Sequence, residues 1–251
     1  MKILLLDIET APNLAYVWGI WQQNVGISQI ADNGYVLCWA AKWLGEDKIM
    51  FDSVKKSSEE NMLGRIHRLV SQADALVHYN GQKFDLPVLN REWLKHGFQP
   101  PAPAKHIDLL QVCKRQFRFV SNKLDYVSQF LGLGEKVRHT GQELWTDCMH
   151  GKRAAWKMME EYNKQDVILL ESLYHRLLPW MNNHPSHGAL DEANCCPKCG
   201  SHEIQQRGYA LTTVNKYRRY QCKDCGGWFR GTATVLPKLP AGQERYTKVT
   251  T

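Results

Sequence analysis

Within its first ten residues, MKILLLDIET, an unbroken apolar run gives way to two acids separated by one residue. The run, Ile3 to Leu6, suits a strand buried on both faces, although periodicity alone does not separate it from a buried helix segment. If the strand continues, Asp7 and Glu9 project from one face of the sheet and Ile8 from the other. Paired carboxylates repel each other unless a cation lies between them or one keeps its proton. A hard divalent ion with oxygen ligands is the simplest reason to build such a pair. The plainer alternative is a solvated strand end carrying two unrelated acids.

At 251 residues the chain has room for one large domain, or for one domain and a small module. Its 43% apolar and 23% charged content exclude wholesale disorder. No apolar run approaches the length of a membrane span, and Met1 leads into a strand and not into a signal peptide, so the expectation is a cytoplasmic protein with no membrane partner. Eight cysteines suit that compartment if they bind metal instead of forming disulfides. The net charge of +7 is uneven: from position 186 onward ten Lys or Arg face five Asp or Glu. A basic segment of this kind suggests a polyanionic partner, nucleic acid first, or simply a soluble basic surface.

Along the chain, Pro12 through Trp18 and Trp21 forms an irregular, aromatic-rich stretch. Tyr35–Trp43 and Lys48–Val54 read as paired strands turning at Gly45-Glu46-Asp47. Ser58–Val70 reads as a helix opened by Ser58, with Met62, Leu63, Ile66, Leu69 and Val70 at core spacing. Ala75–His78 and Ala104–Asp108 read as further strands. Leu109–Leu133 is helical in pieces. Within it, KRQFRF (Lys114–Phe119) is either a nucleic-acid surface or an amphipathic helix with Phe117 inward. SNKLDYVSQFLGLG gives a capped helix ending at glycine, with Leu124, Val127, Phe130 and Leu131 as core.

Two further stretches carry chemistry. In VHYNGQKFDLPVLN a strand ends near Tyr79, a turn runs through Asn80-Gly81-Gln82, and a helix begins around Asp85, with Pro87 tolerated in its first turn. Taken alone, Asp85 is equally an ordinary helix N-cap. The strongest helix, about Ala154 to Trp180, places Tyr162 and Asp166 four residues apart on one face. Its Met158, Met159, Val167, Leu170, Leu173 and Leu177 read as core.

Together the three stretches resemble the DnaQ-like 3′→5′ exonucleases of the ribonuclease H-like superfamily, in their DEDDy branch, and are similar to the proofreading domains of family B DNA polymerases. The Asp-x-Glu motif matches Asp7 and Glu9. The Asn and Phe-Asp motif matches Asn80, Phe84 and Asp85. The Tyr-x-x-x-Asp motif matches Tyr162 and Asp166. The match runs over roughly residues 1 to 180, and HIDLL and KLDYVSQFLGL are also similar to that family. It implies an α/β fold, a mixed central sheet flanked by helices. It also implies two Mg²⁺ or Mn²⁺ ions held by Asp7, Glu9, Asp85 and Asp166, since these ions prefer hard oxygen donors. By the same resemblance Asp7 bridges the ions, Tyr162 positions the attacking water, and Asn80 and Phe84 contact the terminal nucleotides. Asp108 is a further strand-end acid not expected to be a ligand.

NHPSHG (Asn183–Gly188) reads as a linker, dividing the chain into an exonuclease domain (1–185) and a module (186–251). CPKCG and CKDCGG place Cys196, Cys199, Cys222 and Cys225 in two C-x₂-C pairs, the signature of a four-cysteine zinc ribbon with structural Zn²⁺; Cys195 is left over. Between the pairs, strand alternation sets Lys216, Arg218 and Tyr220 on one face. Lys216, Arg218 and Arg219 are candidate substrate contacts, or a solvated or protein-docking surface for a replication or repair protein. From Gly231 the tail reads as irregular. The expected activity is thus a metal-dependent 3′→5′ exonuclease acting on single-stranded DNA in preference to RNA. An exoribonuclease and a non-catalytic nucleic-acid-binding adaptor are the alternatives.

Overall fold

The computed structural model describes residues 1–189 and 194–236. It divides into two compact units, Lys2–Arg176 and a second one beginning at Leu177. In the first, β1 (Ile3–Thr10), β2 (Leu14–Ala15), β3 (Ile30–Asp32), β4 (Val36–Trp43) and β5 (Ile49–Ser53) precede α1 (Glu59–Ser71). Then come β6 (Ala75–His78), α2 (Asp85–Lys95), β7 (Lys105–Asp108), α3 (Leu109–Gln116), α4 (Leu124–Phe130), α5 (Gln142–Met149) and α6 (Arg153–Leu177). No helix among the described residues is long and apolar enough to cross a membrane.

Five strands form one mixed sheet in the order β5-β4-β1-β6-β7. The meander β1–β4–β5 is antiparallel, whereas β6 and β7 run parallel to β1, with α2 following β6 as its crossover. β1 is therefore the central strand and must be covered on both sides, which is why its apolar run is continuous. Leu4, Leu6 and Ile8 face a core completed by Met62, Leu63, Ile66 and Val70 of α1 and by Leu89 and Trp93 of α2. The opposite face is covered by a core in which Leu37 and Cys38 of β4 meet Trp156, Met159 and Tyr162 of α6. Asp7 and Glu9 alternate away from Ile8, so they fall on the α6 side. α1 starts where its cap directs: the Ser58 hydroxyl accepts from Asn61 N, at 3.3 Å.

Several expectations are corrected. Phe130 sits at helical core spacing, but it ends the seven-residue α4 and is exposed, its ring meeting those of Phe119 and Tyr126. The cap of α4 is Lys123, which makes no side-chain capping bond, although the helix does end at Gly132 with φ +66°. Met158, read as core, is exposed on α6. α3 stops at Gln116, so Phe117 leaves the helix, and its ring lies 5.4 Å from that of Phe119. α6 closes at Leu177 into a 3₁₀ turn over Leu178–Trp180, where Pro179 offers no N–H to continue it. The stretch between β1 and β4 contains the β2–β3 pair and leaves Tyr16, Trp18 and Trp21 exposed.

In the second unit, β8 (Ile204–Leu211), β9 (Lys216–Cys222) and β10 (Trp228–Thr234) form an antiparallel sheet in the order β10-β9-β8. β10 replaces the irregular chain expected from Gly231 as far as Thr234; residues 237–251 lie outside the described residues. The expected linker is partly buried here, and His187 N donates to Pro197 O at 2.9 Å.

Candidate active site

β1 delivers two acids, α2 one, and α6 an acid and a phenol. Oxygens of Asp7, Glu9 and Asp166 lie within 4.8 Å of one another. Asp85 is not in that trio. It occupies the first position of α2 rather than the cap, which is Phe84, and its Oδ1 accepts from Ile8 N at 3.2 Å. The α2 carboxylate is therefore tied to the backbone between Asp7 and Glu9. Tyr162 and Asp166 share one face of α6, and both are buried.

Bringing these acids together out of water shifts their titration. Burial, then the charges of Glu9, Asp166 and Asp85, push Asp7 well above the usual carboxylate range. Burial and Asp166 raise Glu9 to about 8, and burial raises Asp85 to about 6. Asp166 is raised by burial despite a cation beside it. Burial, then Asp166 and Glu9, raise the Tyr162 phenol, which keeps its proton throughout the neutral range. Asp166 Oδ1 is buried with no hydrogen-bond partner among the described residues. An orphaned carboxylate oxygen within a cluster of mutually repelling acids is the donor set that a hard divalent ion satisfies, and these residues fit one.

The turn before α2 sets the other expected residues. Asn80 adopts φ +69°, a left-handed conformation that asparagine tolerates. Its N–H donates to Asp108 Oδ1 at 2.9 Å, and the same oxygen N-caps α3 through Leu110 N. Asp108 is thus a buried structural acid. Gly81 packs against His78: a Cβ there would lie 2.6 Å from the buried imidazole. Phe84 is about half exposed, its ring open to a ligand.

Four neighbours of the acids escaped the sequence reading. Lys136 Nζ lies 2.5 Å from Asp166 Oδ2 and 3.0 Å from the Tyr162 hydroxyl. Burial disfavours its charge, but Asp166 and Tyr162 outweigh that and raise its pKa. Asn163 Nδ2 donates to Asp7 Oδ2 at 2.7 Å, and Trp145 Nε1 to Glu9 Oε2 at 3.1 Å. His139 packs edge-on to both Trp145 and Tyr162, with ring centroids 5.0 Å apart in each case. Asn163 had a signal, being next to Tyr162 on a helix. The other three lie on α5 or the loop before it, without a pattern.

In the second unit Cys196, Cys199, Cys222 and Cys225 converge. The Sγ atoms are 3.7 Å apart for Cys196 and Cys225, and 3.6 Å for Cys199 and Cys222. A tetrahedron with Zn–S near 2.3 Å has sulfur–sulfur edges of about 3.8 Å, so the four thiols fit a zinc ion. Cys195 is outside the cluster. Lys216, Arg218 and Arg219 all lie on β9, but Arg219 is on the face opposite the other two.

No curated protein matches the sequence. Among solved structures, the family B DNA polymerase from the hyperthermophilic archaeon Pyrobaculum calidifontis has a similar fold, with a TM-score of 0.55 and 18% identity over 71% of this chain. The chain spans 25% of the length of that polymerase. The RNase_H superfamily matches residues 4–178, well over half of the sequence. With its β1-centred mixed sheet flanked by helices, the chain belongs to the RNase_H superfamily.

Proposed function

We propose that the chain is a metal-dependent 3′→5′ exonuclease of the DEDDy type, which releases nucleotides from the 3′ end of single-stranded DNA. The observation carrying this reading is the meeting of Asp7, Glu9 and Asp166 within 4.8 Å beside Tyr162, from segments more than 150 residues apart in sequence. Similarity to a DNA polymerase fold favours DNA over RNA. Two Mg²⁺ or Mn²⁺ ions would be held by Asp7, Glu9, Asp166 and, at the edge of the trio, Asp85. Bound there, such ions make water nucleophilic near neutral pH and offset charge on the leaving oxygen.

The residues of the chain do the positioning. Tyr162 remains protonated, so its hydroxyl orients the attacking water and does not deprotonate it. Asn163 and Trp145 hold the Asp7 and Glu9 carboxylates by one side-chain hydrogen bond each, which fixes their orientation. Lys136 compensates Asp166. Asn80 and the exposed Phe84 ring receive the terminal nucleotides, Phe84 by stacking. The module 186–251 carries a zinc ribbon, whose basic strand β9 grips the substrate.

The test is a 5′-labelled single-stranded DNA incubated with the full chain and Mg²⁺ or Mn²⁺. A ladder shortening from the 3′ end, absent with chelator and in Asp7→Ala, is expected. Binding without shortening would leave a non-catalytic adaptor. Faster shortening of RNA of the same sequence would make it an exoribonuclease.

A further inference from the structure

The ribbon sheet has two faces of different character. Pairing registers place Tyr217, Arg219 and Gln221 of β9 on the same side as Trp228 and Arg230 of β10. On that side the Arg219 guanidinium lies 5.1 Å from the Trp228 ring centre, and the Arg230 guanidinium 4.0 Å from that of Tyr217. Arg219 and Arg230 are direct cross-strand partners. Their guanidiniums reach toward opposite ends of the strands, Arg219 to Trp228 and Arg230 to Tyr217, and Arg219 Nε also donates to Arg207 O at 3.0 Å. Neither has a carboxylate partner among the described residues, and this face carries no Asp or Glu among its described positions. Both arginines are exposed, and so is nearly half of Trp228.

We infer that this face, the opposite of the one bearing Lys216 and Arg218, is a stacking platform for single-stranded DNA. Two exposed guanidiniums without a carboxylate partner among the described residues leave this face cationic, and a phosphodiester is an anion that repeats along a chain, so successive phosphates meet them in turn. Trp228 pairs with Gln221, four residues along β9 from Tyr217, so the two rings bracket the arginine pair at about 13 Å along the strand. Bases stack on the rings while the backbone crosses the guanidiniums. The opposite face has a single cation–ring pair, Lys216 over Tyr209, among its described residues, and its Tyr220 and Phe229 stack on each other.

The inference deepens the reading of a DNA substrate and rests on it, but binding tests it independently of cleavage. The full, zinc-loaded chain is titrated against a fluorescent oligothymidylate of about 20 nucleotides, longer than typical site sizes, without Mg²⁺ or Mn²⁺. Zinc content is measured for each variant, to show that the ribbon is intact. Arg219→Gln with Arg230→Gln is expected to weaken binding about tenfold and to flatten the slope of log affinity against log salt by about 1.4, at 0.7 per lost phosphate contact. Trp228→Ala is expected to weaken it about tenfold as well, and Trp228→Phe to restore most of that loss. Lys216→Gln with Arg218→Gln is expected to change affinity less than about threefold and leave the slope unchanged. Wild-type affinity and slope in the Arg219/Arg230 variant would overturn the inference, as would an equal loss from the Lys216/Arg218 variant. A wild-type chain that binds through this face but never shortens DNA would instead remove the nuclease reading and leave the platform standing.

Discussion

Without divalent ions, the first unit should lose stability as the pH rises from 5 to 8. Glu9 titrates near 4.5 in an unfolded chain and at about 8 in the folded one. Over that interval the unfolded state gives up its proton while the folded state largely keeps it. Stability is therefore present in acid and lost as pH climbs toward the folded value. At 1.36 kcal/mol per pKa unit, Glu9 alone accounts for about 3 kcal/mol between pH 5 and 8. Asp85, raised to about 6, adds about 1 kcal/mol in the same direction. Burial lowers His78 to about 4, which works the other way by about 2 kcal/mol, chiefly below pH 6.5, so a net loss of about 2 kcal/mol remains. Such a loss is a sizeable part of the roughly 5–15 kcal/mol that holds a typical domain together. The assay is urea unfolding at 25 °C across this pH range, with the protein dialysed free of Mg²⁺ and Mn²⁺. Adding Mg²⁺ should abolish most of the slope, because ions replace protons among the carboxylates, and calorimetry should detect protons released on binding. Glu9→Gln should flatten the ion-free profile and raise stability at pH 8, while weakening Mg²⁺ binding. Ion-free stability that is level or rises from pH 5 to 8 would refute the account of a strained carboxylate cluster.

Tyr162→Phe should lower the rate of shortening about tenfold to a hundredfold with Mn²⁺ affinity unchanged, read by single-turnover gels and calorimetry. Trp145→Phe removes one hydrogen bond to Glu9 and should reduce the rate several-fold without unfolding the chain; an unchanged rate would show that Glu9 needs no such anchor. Cys225→Ser should drop zinc from one ion per chain toward none and weaken DNA binding, while the circular dichroism of the first unit persists. Gly81→Ala forces a methyl group against the buried His78 ring and should cost about 1–3 kcal/mol in urea unfolding, with a loss of activity because the turn leads directly into Asp85.

Features that depend on one local segment were legible in the sequence, and those made between segments were not. The continuous apolar run followed by Asp7-Ile8-Glu9 implies a central strand with both acids on one side, because alternation is a property of the strand alone. The two C-x₂-C pairs imply the thiolate cluster in the same way. Phe130 and Met158 show where the periodicity misleads: it reports which side of a helix a residue occupies, not whether another element arrives to cover it. Lys136 reaches Asp166 across 30 residues and Trp145 reaches Glu9 across 136, and nothing near either one in sequence marks it out. The ribbon joins both lessons. Alternation along β9 correctly separates Lys216, Arg218 and Tyr220 from Tyr217 and Arg219, but it says nothing of what stands beside them. Trp228 and Arg230 come from the next strand, and their register turns a side that looked secondary into the one where two exposed guanidiniums each lie against a ring. Cations set against rings with no carboxylate beside them are better evidence for an anionic, base-bearing ligand than the density of basic residues along any one strand.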